Sequence, residues 1–381
     1  MTIGIDASRA FSPEKTGTEN YSYYLMQNLR AFLEHEEVIL YVRKGVDIPF
    51  DLPRPWKVQE ISWKYLWTQG GLSWELFWRP VDRLLVPSHA LPWIHPKRSM
   101  IVVHGLEYEH IPEAYPFFSR VLLKIMTRLS CIWGRHIITV SESTKKDLID
   151  FYHIDSEKIT TIHQSVSDIS GQGIGGSHEG KYNKKSSSRP KSRAERSQSC
   201  IKEKVSYFLV LGRLETRKNI IRTIEAFEIF KDIYHTNHRL ILAGKPGYGY
   251  RKIQRKIQNS KYKKNIIERG YISETEKGKL LEHTETLLFL SRAEGFGLPL
   301  LEAQVARVPV IASDIPIMHE IAGEGAYFVK KDDMYEIARN MHEISKNDEK
   351  KRGILEKGRK NVVRFSWEQC AREIAEVLLK K

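Results

Sequence analysis

Two glutamates and a glycine loop lie close together in the second half of the chain, in a pattern that suits binding of phosphate and hydroxyl groups. Glu294 directly precedes the loop Gly295-Phe296-Gly297, and Glu302 follows Glu294 by eight residues. The apolar run at 286–290 before the loop and Leu298-Pro299 after it predict a strand, a tight turn and a helix. The N–H groups at a helix N-terminus bind anions, and carboxylates accept hydrogen bonds from hydroxyls. A nucleotide sugar carries both kinds of group.

The two glutamates also admit a second interpretation. A buried strand at 308–312 completes a β-loop-α-β unit, which places the loop and the first turn of the helix, with Glu302, at the carboxyl edge of a parallel sheet. In the first interpretation both carboxylates face the ligand crevice there. In the second, Glu302 only complements the helix dipole and Glu294 is a solvated loop acid. Spacing alone leaves the two interpretations open.

Two cations follow another apolar run, at 207–211. Arg213 and Lys218 are five residues apart in Gly212-Arg213-Leu214-Glu215-Thr216-Arg217-Lys218-Asn219, at a predicted strand-to-helix turn. Cations in this position can hold a diphosphate, because charge-assisted hydrogen bonds are the strong ones. The alternative is a pair of surface charges. We take Arg213 and Lys218 as the phosphate ligands, with Arg217 as the less favoured substitute.

These motifs resemble the donor-site signature of the retaining family 4 glycosyltransferases, which have the GT-B fold. The resemblance rests on E-G-F-G-L-P-x-x-E at 294–302, P-V-I-A-S at 309–313 and G-R-x-x-x-x-K-N at 212–219. It implies an α/β protein whose two Rossmann-like, doubly wound domains face each other across a deep cleft. It further implies that Glu294 holds sugar hydroxyls, that Glu302 holds the ribose, and that the turn at Tyr271 and Ile272 borders the base. The residues implied at the donor phosphates are Gly17, Arg213, Lys218, Gly295, Phe296, Gly297 and Leu298.

Two of the implied site residues come from the first half of the chain. His104 ends a predicted strand at 100–103, and the family's histidine at this point bonds the reacting sugar, although its following aspartate is replaced here by Gly105. Gly17 lies in the turn after the first strand, where the family has T-G-x-G and this chain has Glu19 in place of the second glycine. A structural histidine and a structural turn glycine are the alternatives.

The length and composition favour a two-domain protein. A chain of 381 residues suits two cores, and we expect a first domain at 1–166, a second at 205–364 and a helix at 365–381 that packs back across the domains. The segment 167–204 is rich in Gly, Ser, Lys and Arg, which predicts a flexible basic insertion. The three cysteines lack metal-ligand spacing and indicate a reducing, cytoplasmic location. The polar N-terminus argues against a signal peptide, and no apolar run approaches the length of a membrane span.

Two features of the first half raise the question of a surface partner. Trp56, Trp63, Trp67, Trp74, Trp78 and Trp93 crowd one region, and we favour core packing for them over a sugar-stacking or lipid-facing surface. A helix predicted at 117–135 carries Arg120, Lys124 and Arg128 on one face. That face is either solvated or in weak contact with an anionic membrane on its inner side.

The function implied by the resemblance is transfer of a hexose, of the mannose or glucose type, from a nucleoside diphosphate sugar to an acceptor hydroxyl with retention. Polysaccharide or glycolipid assembly is the expected setting, with a sugar or a lipid-linked sugar as acceptor. No metal ion and no cofactor are expected. A GT-B phosphorylase or sugar-nucleotide epimerase is one alternative. The net charge of +14 suggests a nucleic-acid-binding protein as another, but the basic segment has few aromatic residues to stack on bases, so we expect no nucleic acid.

Overall fold

A computed structural model describes residues 1–12, 15–166 and 205–380, which form two parallel sheets and their helices. The insertion expected at 167–204 lies outside the described residues. No helix within the described ranges is long and apolar enough to cross a membrane.

The first sheet has seven parallel strands in the order β3-β2-β1-β4-β5-β6-β7. The strands are β1 (Thr2–Asp6), β2 (Glu37–Arg43), β3 (Trp56–Ile61), β4 (Arg83–Val86), β5 (Arg98–Val103), β6 (His136–Thr139) and β7 (Ile159–Thr161). The helices among them are α1 (Gly17–Phe32), α2 (Ser73–Trp78), α3 (Glu107–His110), α4 (Phe117–Trp133) and α5 (Glu142–Tyr152).

The second sheet has six parallel strands in the order β10-β9-β8-β11-β12-β13. They are β8 (Tyr207–Leu211), β9 (Arg239–Ala243), β10 (Ile266–Gly270), β11 (Thr286–Phe289), β12 (Val310–Ser313) and β13 (Tyr327–Val329). The helices are α6 (Ile220–Tyr234), α7 (Tyr250–Asn259), α8 (Glu274–His283), α9 (Leu298–Val305), α10 (Pro316–Ala322), α11 (Met334–Lys346), α12 (Asp348–Val362) and α13 (Trp367–Leu379).

Each sheet is buried on both faces, which explains why its strands read as unbroken apolar runs. In β8, Leu209 and Leu211 belong to one hydrophobic cluster, while Phe208 and Val210 belong to another. Side chains alternate between the faces of a strand, so both faces of this sheet carry a packed layer. The order of strands reverses between β1 and β4 and again between β8 and β11, as in doubly wound folds. The α/β, doubly wound expectation is confirmed for both halves.

The terminal helix returns to the first half of the chain. The ring of Trp367, at the start of α13, lies 5.5 Å from the ring of Tyr24 and 5.6 Å from that of Tyr21, both on α1. Ser366 caps this helix by accepting a hydrogen bond from the N–H of Gln369 at 3.3 Å. A helix that follows the second sheet in sequence therefore packs on the first domain.

The tryptophan region differs from the expectation of core packing. Trp56 and Trp67 are buried, and their indole N–H groups donate to the carbonyls of Leu33 and Ile61. The core interpretation is wrong for the other four, which are exposed because they lie on the short helix α2 and on loops: Trp63, Trp74, Trp78 and Trp93. Their indoles form an aromatic surface on the first domain.

Candidate active site

The predicted phosphate ligands meet where the strand order of the second sheet reverses. The segment 212–219 follows β8, and the segment 294–297 follows β11, which is the neighbour of β8 in the sheet. Because parallel strands end at the same edge, both loops face one crevice. This is the position in which open α/β sheets bind ligands.

Glu294 is the centre of a buried charge cluster in this crevice. One of its carboxylate oxygens accepts a hydrogen bond from the Lys218 ammonium, and the other lies 2.8 Å from the Arg217 guanidinium. Burial acts to raise the pKa of Glu294, but Arg217 and Lys218 outweigh it and lower that pKa to about 2. The carboxyl group is therefore ionised across the physiological range and holds both cations in place.

The three cations of the 213–218 turn have different surroundings. Arg217, the less favoured candidate from sequence, is buried against Glu215 at 2.9 Å and Glu107 at 3.4 Å in addition to Glu294. Burial lowers the pKa of Arg217, but these carboxylates raise it well above its ordinary value. The Arg213 side chain is 58% exposed, with its Nε 3.6 Å from Glu215. Lys218 and Arg217 thus point into the cluster, whereas Arg213 is available to solvent at its rim.

The glycine loop is shaped by its contact with the first domain. A β-carbon added to Gly295 would lie 1.7 Å from the carbonyl oxygen of His104, so only glycine fits. Gly297 caps α9 with a φ of +109°, and Leu298 and Pro299 begin the helix as expected. Phe296 is buried, with its ring 5.9 Å from that of Phe365. The loop N–H groups at the start of α9 are therefore held directly opposite the end of β5.

His104 lies at the carboxyl end of β5, across the crevice from Glu294. Its Nε2 is 3.0 Å from the carbonyl oxygen of Pro87, and its ring packs edge-on to Tyr21 at 4.7 Å. Because a carbonyl only accepts, Nε2 carries the proton and Nδ1 is left as an acceptor. Burial lowers the pKa of His104 to about 4. The imidazole is neutral and suited to accept a hydrogen bond from a hydroxyl.

Gly17 is the first residue of α1 and not part of a loop. Thr16 caps the helix, and Glu19, which stands where the related motif has a second glycine, closes a capping box by accepting from the Thr16 N–H at 3.2 Å. Glu19 also lies 3.3 Å from Arg9. A β-carbon at residue 17 would meet nothing within 4 Å. Gly17 therefore leaves open space at the N-terminus of α1. Tyr21, one turn further along the same helix, packs against the ring of His104.

Glu302 lies in the second turn of α9, one turn later than expected, because the helix begins at Leu298. Its carboxylate is buried and lies 2.6 Å from the Lys277 ammonium. Burial raises the pKa of Glu302 despite this pair. Lys277 is on α8, which begins just after Tyr271 and Ile272. Those two residues follow β10, two strands from β8 and hence about 10 Å along the sheet edge.

Several contacts across the crevice come from residues that were not candidates. The hydroxyl of Ser141 donates to the carbonyl of Gly295 at 2.7 Å, and its oxygen also accepts from the Thr144 N–H as the cap of α5. The carboxylate of Glu320 accepts from the backbone N–H groups of Glu142 at 2.6 Å and Ser143 at 2.9 Å. His163 lies 3.0 Å from Glu320 as well. The N-terminus of α5 is thus capped by a carboxylate from the second domain.

Some residues of the crevice were not predicted from the sequence, and they differ in whether a local sequence pattern could have identified them. Glu107 and Lys277 are charged residues with buried partners, and no local pattern shows which partner a charge will meet. Ser141 directly precedes α5, so its residue type signals a helix cap but not the contact with Gly295, and Glu320 carries no comparable local signal.

Comparison with protein families divides the chain into two matched regions. Residues 15–168 match the family described as Glycosyltransferase Family 4, and residues 191–361 match Glycosyl transferases group 1. The O-antigen chain mannosyltransferase RfbU of Salmonella typhimurium is 29% identical over 245 residues, which are 64% of this chain and 60% of that protein. The O-antigen chain mannosyltransferase B of Escherichia coli is 23% identical over 72% of this chain and 68% of its own. The chain thus spans less than two thirds of RfbU.

Solved structures share the fold over the whole chain. WaaG, a glycosyltransferase involved in lipopolysaccharide biosynthesis, superposes with a TM-score of 0.71 at 15% identity, over 100% of this chain and 100% of its own. Anabaena Alr3699/HepE, solved with UDP and glucose, has a TM-score of 0.67 at 15% identity over 100% of this chain and 99% of its own. The GT-B fold expected from the sequence motifs is confirmed. The first half of the chain thus matches Glycosyltransferase Family 4, and its second half matches Glycosyl transferases group 1.

Proposed function

We propose that this protein transfers a hexose from a nucleoside diphosphate sugar to an acceptor hydroxyl with retention of configuration. The observation that carries the proposal is the contact between Gly295 and the His104 carbonyl. It brings an anion-binding helix terminus and a cationic cluster from one domain against a neutral histidine from the other. Such an arrangement can hold a sugar phosphate across the domain boundary.

The charge cluster supplies the electrostatic part of the reaction. In the structure, Lys218 and Arg217 are paired with Glu294. We propose that the donor diphosphate draws Lys218 toward itself, together with Arg213 from the rim and the N–H groups of 295–298. Glu294 then has oxygens free to accept from sugar hydroxyls. As the sugar–phosphate bond breaks, charge grows on the diphosphate, and preorganised cations and N–H groups stabilise it.

The remaining ligand groups have candidate positions around this cluster. His104 Nδ1 accepts from a sugar hydroxyl, Glu302 binds the ribose, and Tyr271 and Ile272 border the base. In the same-face route that the family implies, the acceptor oxygen bonds to the anomeric carbon while the leaving phosphate oxygen takes the acceptor proton. Side-chain cations take the charge that a metal ion would otherwise take. No cofactor is part of this scheme.

The sugar and the setting are inferred from relatives. RfbU and mannosyltransferase B are O-antigen chain mannosyltransferases, and the HepE structure holds UDP and glucose. We therefore propose a hexose of the mannose or glucose type, and a role in polysaccharide or glycolipid assembly. In this scheme residues 1–166 bind the acceptor, residues 205–364 bind the donor, and 365–381 join the two.

We also propose a peripheral membrane contact through α4, which would place the enzyme on the inner, cytoplasmic side. Phe118 on this helix is 85% exposed and Leu122 is 62% exposed, beside Arg120, Lys124 and Arg128. Apolar side chains next to cations are typical of helices that lie on anionic membranes. A lipid-linked sugar is the acceptor that such a contact would serve.

The test is a transfer assay with purified full-length protein. GDP-mannose and UDP-glucose are offered with a lipid-linked or oligosaccharide acceptor, and nucleoside diphosphate release and product are measured with and without EDTA. We expect acceptor-dependent release, a product with the anomeric configuration of the donor, and no effect of EDTA. Release of nucleotide without acceptor would favour an epimerase, and inversion or EDTA sensitivity would contradict the proposed mechanism.

A further inference from the structure

A basic cavity of about 770 Å³ lies at the amino ends of strands β4 to β7, on the opposite edge of the first sheet from His104. Its cationic side chains lie at the starts of β4 and β5, directly before β5, β6 and β7, and directly after α13: Arg83, Lys97, Arg98, Arg135, Lys158 and Lys380. Asp155 and Glu157 are the acidic side chains that line it within the described residues. The cavity therefore holds a net positive charge away from the donor crevice.

Among the described residues, the six cations of this cavity outnumber its two acidic side chains. In the part of the chain that the structure describes, none of its six cations lies within 4 Å of a carboxylate oxygen. Arg83 on β4 is in register with Arg98 on β5, and like charges opposite each other on neighbouring strands are destabilising. A bound anion would remove that repulsion.

Arg83 and Lys158 fix the inner wall of the cavity. Arg83 is 4% exposed and donates to the main-chain carbonyls of Leu378 and of Lys380 at 2.9 Å, while its Nε has no hydrogen-bond partner among the described atoms. The Lys158 ammonium donates to the carbonyls of Cys131 and Ile132 at 2.8 Å. Two cations are thus held in place on the inner wall by main-chain carbonyls.

The cavity adjoins the apolar surface of α4 through Trp133. This tryptophan lines the cavity and is itself 40% exposed at the end of the helix. The loop beside it is tied to α4 and α2, because the N–H of Leu91 donates to Ser130 at 2.9 Å and that of Ile94 to Ser73 at 3.4 Å. Trp93, next to Ile94 in this loop, and Trp74, next to Ser73 on α2, are also exposed.

We infer that this cavity binds a phosphate group, and that the phosphate is the headgroup of a membrane phospholipid. An arginine guanidinium can bind two phosphate oxygens at once. The neighbouring apolar surface can contact acyl chains, and tryptophans are enriched at membrane interfaces. The inference that the phosphate belongs to a lipid rests on the proposed membrane contact of α4. The inference that the cavity binds phosphate does not depend on that contact. Bound at the edge away from the donor, the lipid would orient the enzyme and leave the crevice open.

The test separates bound phosphate from diffuse charge. The Arg98→Lys/Arg135→Lys variant keeps both positive charges but loses the two guanidinium groups that could each donate two hydrogen bonds to a phosphate. Arg251→Lys/Arg255→Lys on the exposed face of α7 is the matched control. Vesicle binding is measured with phosphatidylcholine containing phosphatidylglycerol, and again with oleate supplying the same charge without phosphate. Thermal stabilisation by inorganic pyrophosphate is measured in parallel, and transfer to a soluble acceptor shows whether the donor site is intact.

We expect the cavity variant to bind phosphatidylglycerol vesicles about tenfold more weakly, to lose the stabilisation by pyrophosphate in part, and to bind oleate vesicles like wild type. The control variant should match wild type throughout. If the cavity variant loses the thermal stabilisation by pyrophosphate but binds vesicles like wild type, the cavity binds phosphate, and the inference that its ligand is a phospholipid is overturned. Equal behaviour of both variants in all assays would overturn the site. Neither result depends on the transferase assay, so failure of the proposed function is seen separately.

Discussion

The guanidinium of Arg217 lies 2.8 Å from the carboxylate of Glu294 and 3.4 Å from that of Glu107, which belongs to the other domain. One buried cation therefore joins the donor loop to the first domain. Burial acts to raise the pKa of Glu107, and the Arg217 charge opposes that shift only in part. Glu294, which we propose contacts the donor sugar, is thus coupled to the first domain through Arg217.

Replacing Glu294 should reduce stability as well as activity. Glu294→Ala leaves Lys218 and Arg217 buried without their main partner, and breaking a buried pair costs about 3–5 kcal/mol. We expect the free energy of unfolding to fall by about that amount, and sugar transfer to be lost. Urea denaturation and the transfer assay measure the two effects.

Glu113→Ala is the matched control for that change, because the Glu113–Arg292 pair is exposed. Surface pairs contribute about 0–1 kcal/mol, so its stability should be near that of wild type. Equal losses in the two variants would contradict a special role for the buried cluster.

Replacing Gly295 should separate the domains at the site. Gly295→Ala places a β-carbon 1.7 Å from the His104 carbonyl oxygen, and neither backbone has room to yield without opening the contact. We expect transfer to fall at least a hundredfold, with faster proteolysis between the domains. In Gly353→Ala, where the new β-carbon meets nothing within 4 Å, activity should be unchanged. Wild-type turnover by Gly295→Ala would show that the contact is not needed.

The two proposed phosphate ligands, Arg213 and Lys218, should contribute equally to nucleotide binding but differently to stability. Lys218→Ala and Arg213→Ala should each weaken binding of a nucleoside diphosphate by one to two decades, from about 1.5–3 kcal/mol per charged hydrogen bond. Only Lys218→Ala should also reduce stability, because Lys218 is buried against Glu294 and Arg213 is at the exposed rim. Calorimetric titration and denaturation test both statements. Unchanged affinity in both variants would remove these residues from the site.

The stability of the fold should depend on pH through His104. The pKa of His104 is lowered to about 4 in the fold, against about 6.5 in the unfolded chain. Between these values the unfolded state binds the proton and the folded state does not, so stability is lost as pH falls from about 6.5 and levels off below about 4. Between pH 7 and pH 5 we expect His104→Asn to lose about 2 kcal/mol less than wild type, while the loss due to the buried His89, whose pKa is lowered to about 3, is common to both proteins. Identical pH profiles for both proteins would contradict the buried, neutral imidazole.

The apolar and basic face of α4 should bind anionic vesicles weakly. Each cation near such a surface contributes about 1 kcal/mol, and high salt should abolish binding because the Debye length is about 3 Å at 1 M. Changing Arg120, Lys124 and Arg128 to Glu should prevent sedimentation with vesicles. The same change at Arg251, Lys252 and Arg255 on α7 should not. Equal pelleting of the two triple variants would remove α4 from this role.

Much of the fold was determined by local sequence. The apolar runs at 207–211 and 286–290, the caps Ser141 and Ser366, and Pro299 at the start of α9 each act within a few residues, so strands and helices could be predicted close to their observed bounds. The donor loop and its two cations were also local motifs. A one-dimensional pattern suffices where the interaction itself is short in sequence.

Only the tertiary structure decided which charges meet and which apolar side chains are covered. Arg217 is a central buried cation because Glu107, Glu215 and Glu294 converge on it from two domains. Trp74 and Trp78 are exposed because α2 buries Leu76 in the core and leaves these two side chains on its outer side, although their residue type favours burial. Glu320 caps a helix that begins 178 residues earlier in the chain. Such pairings depend on how two sheets are placed against each other, and no spacing along the sequence records that placement.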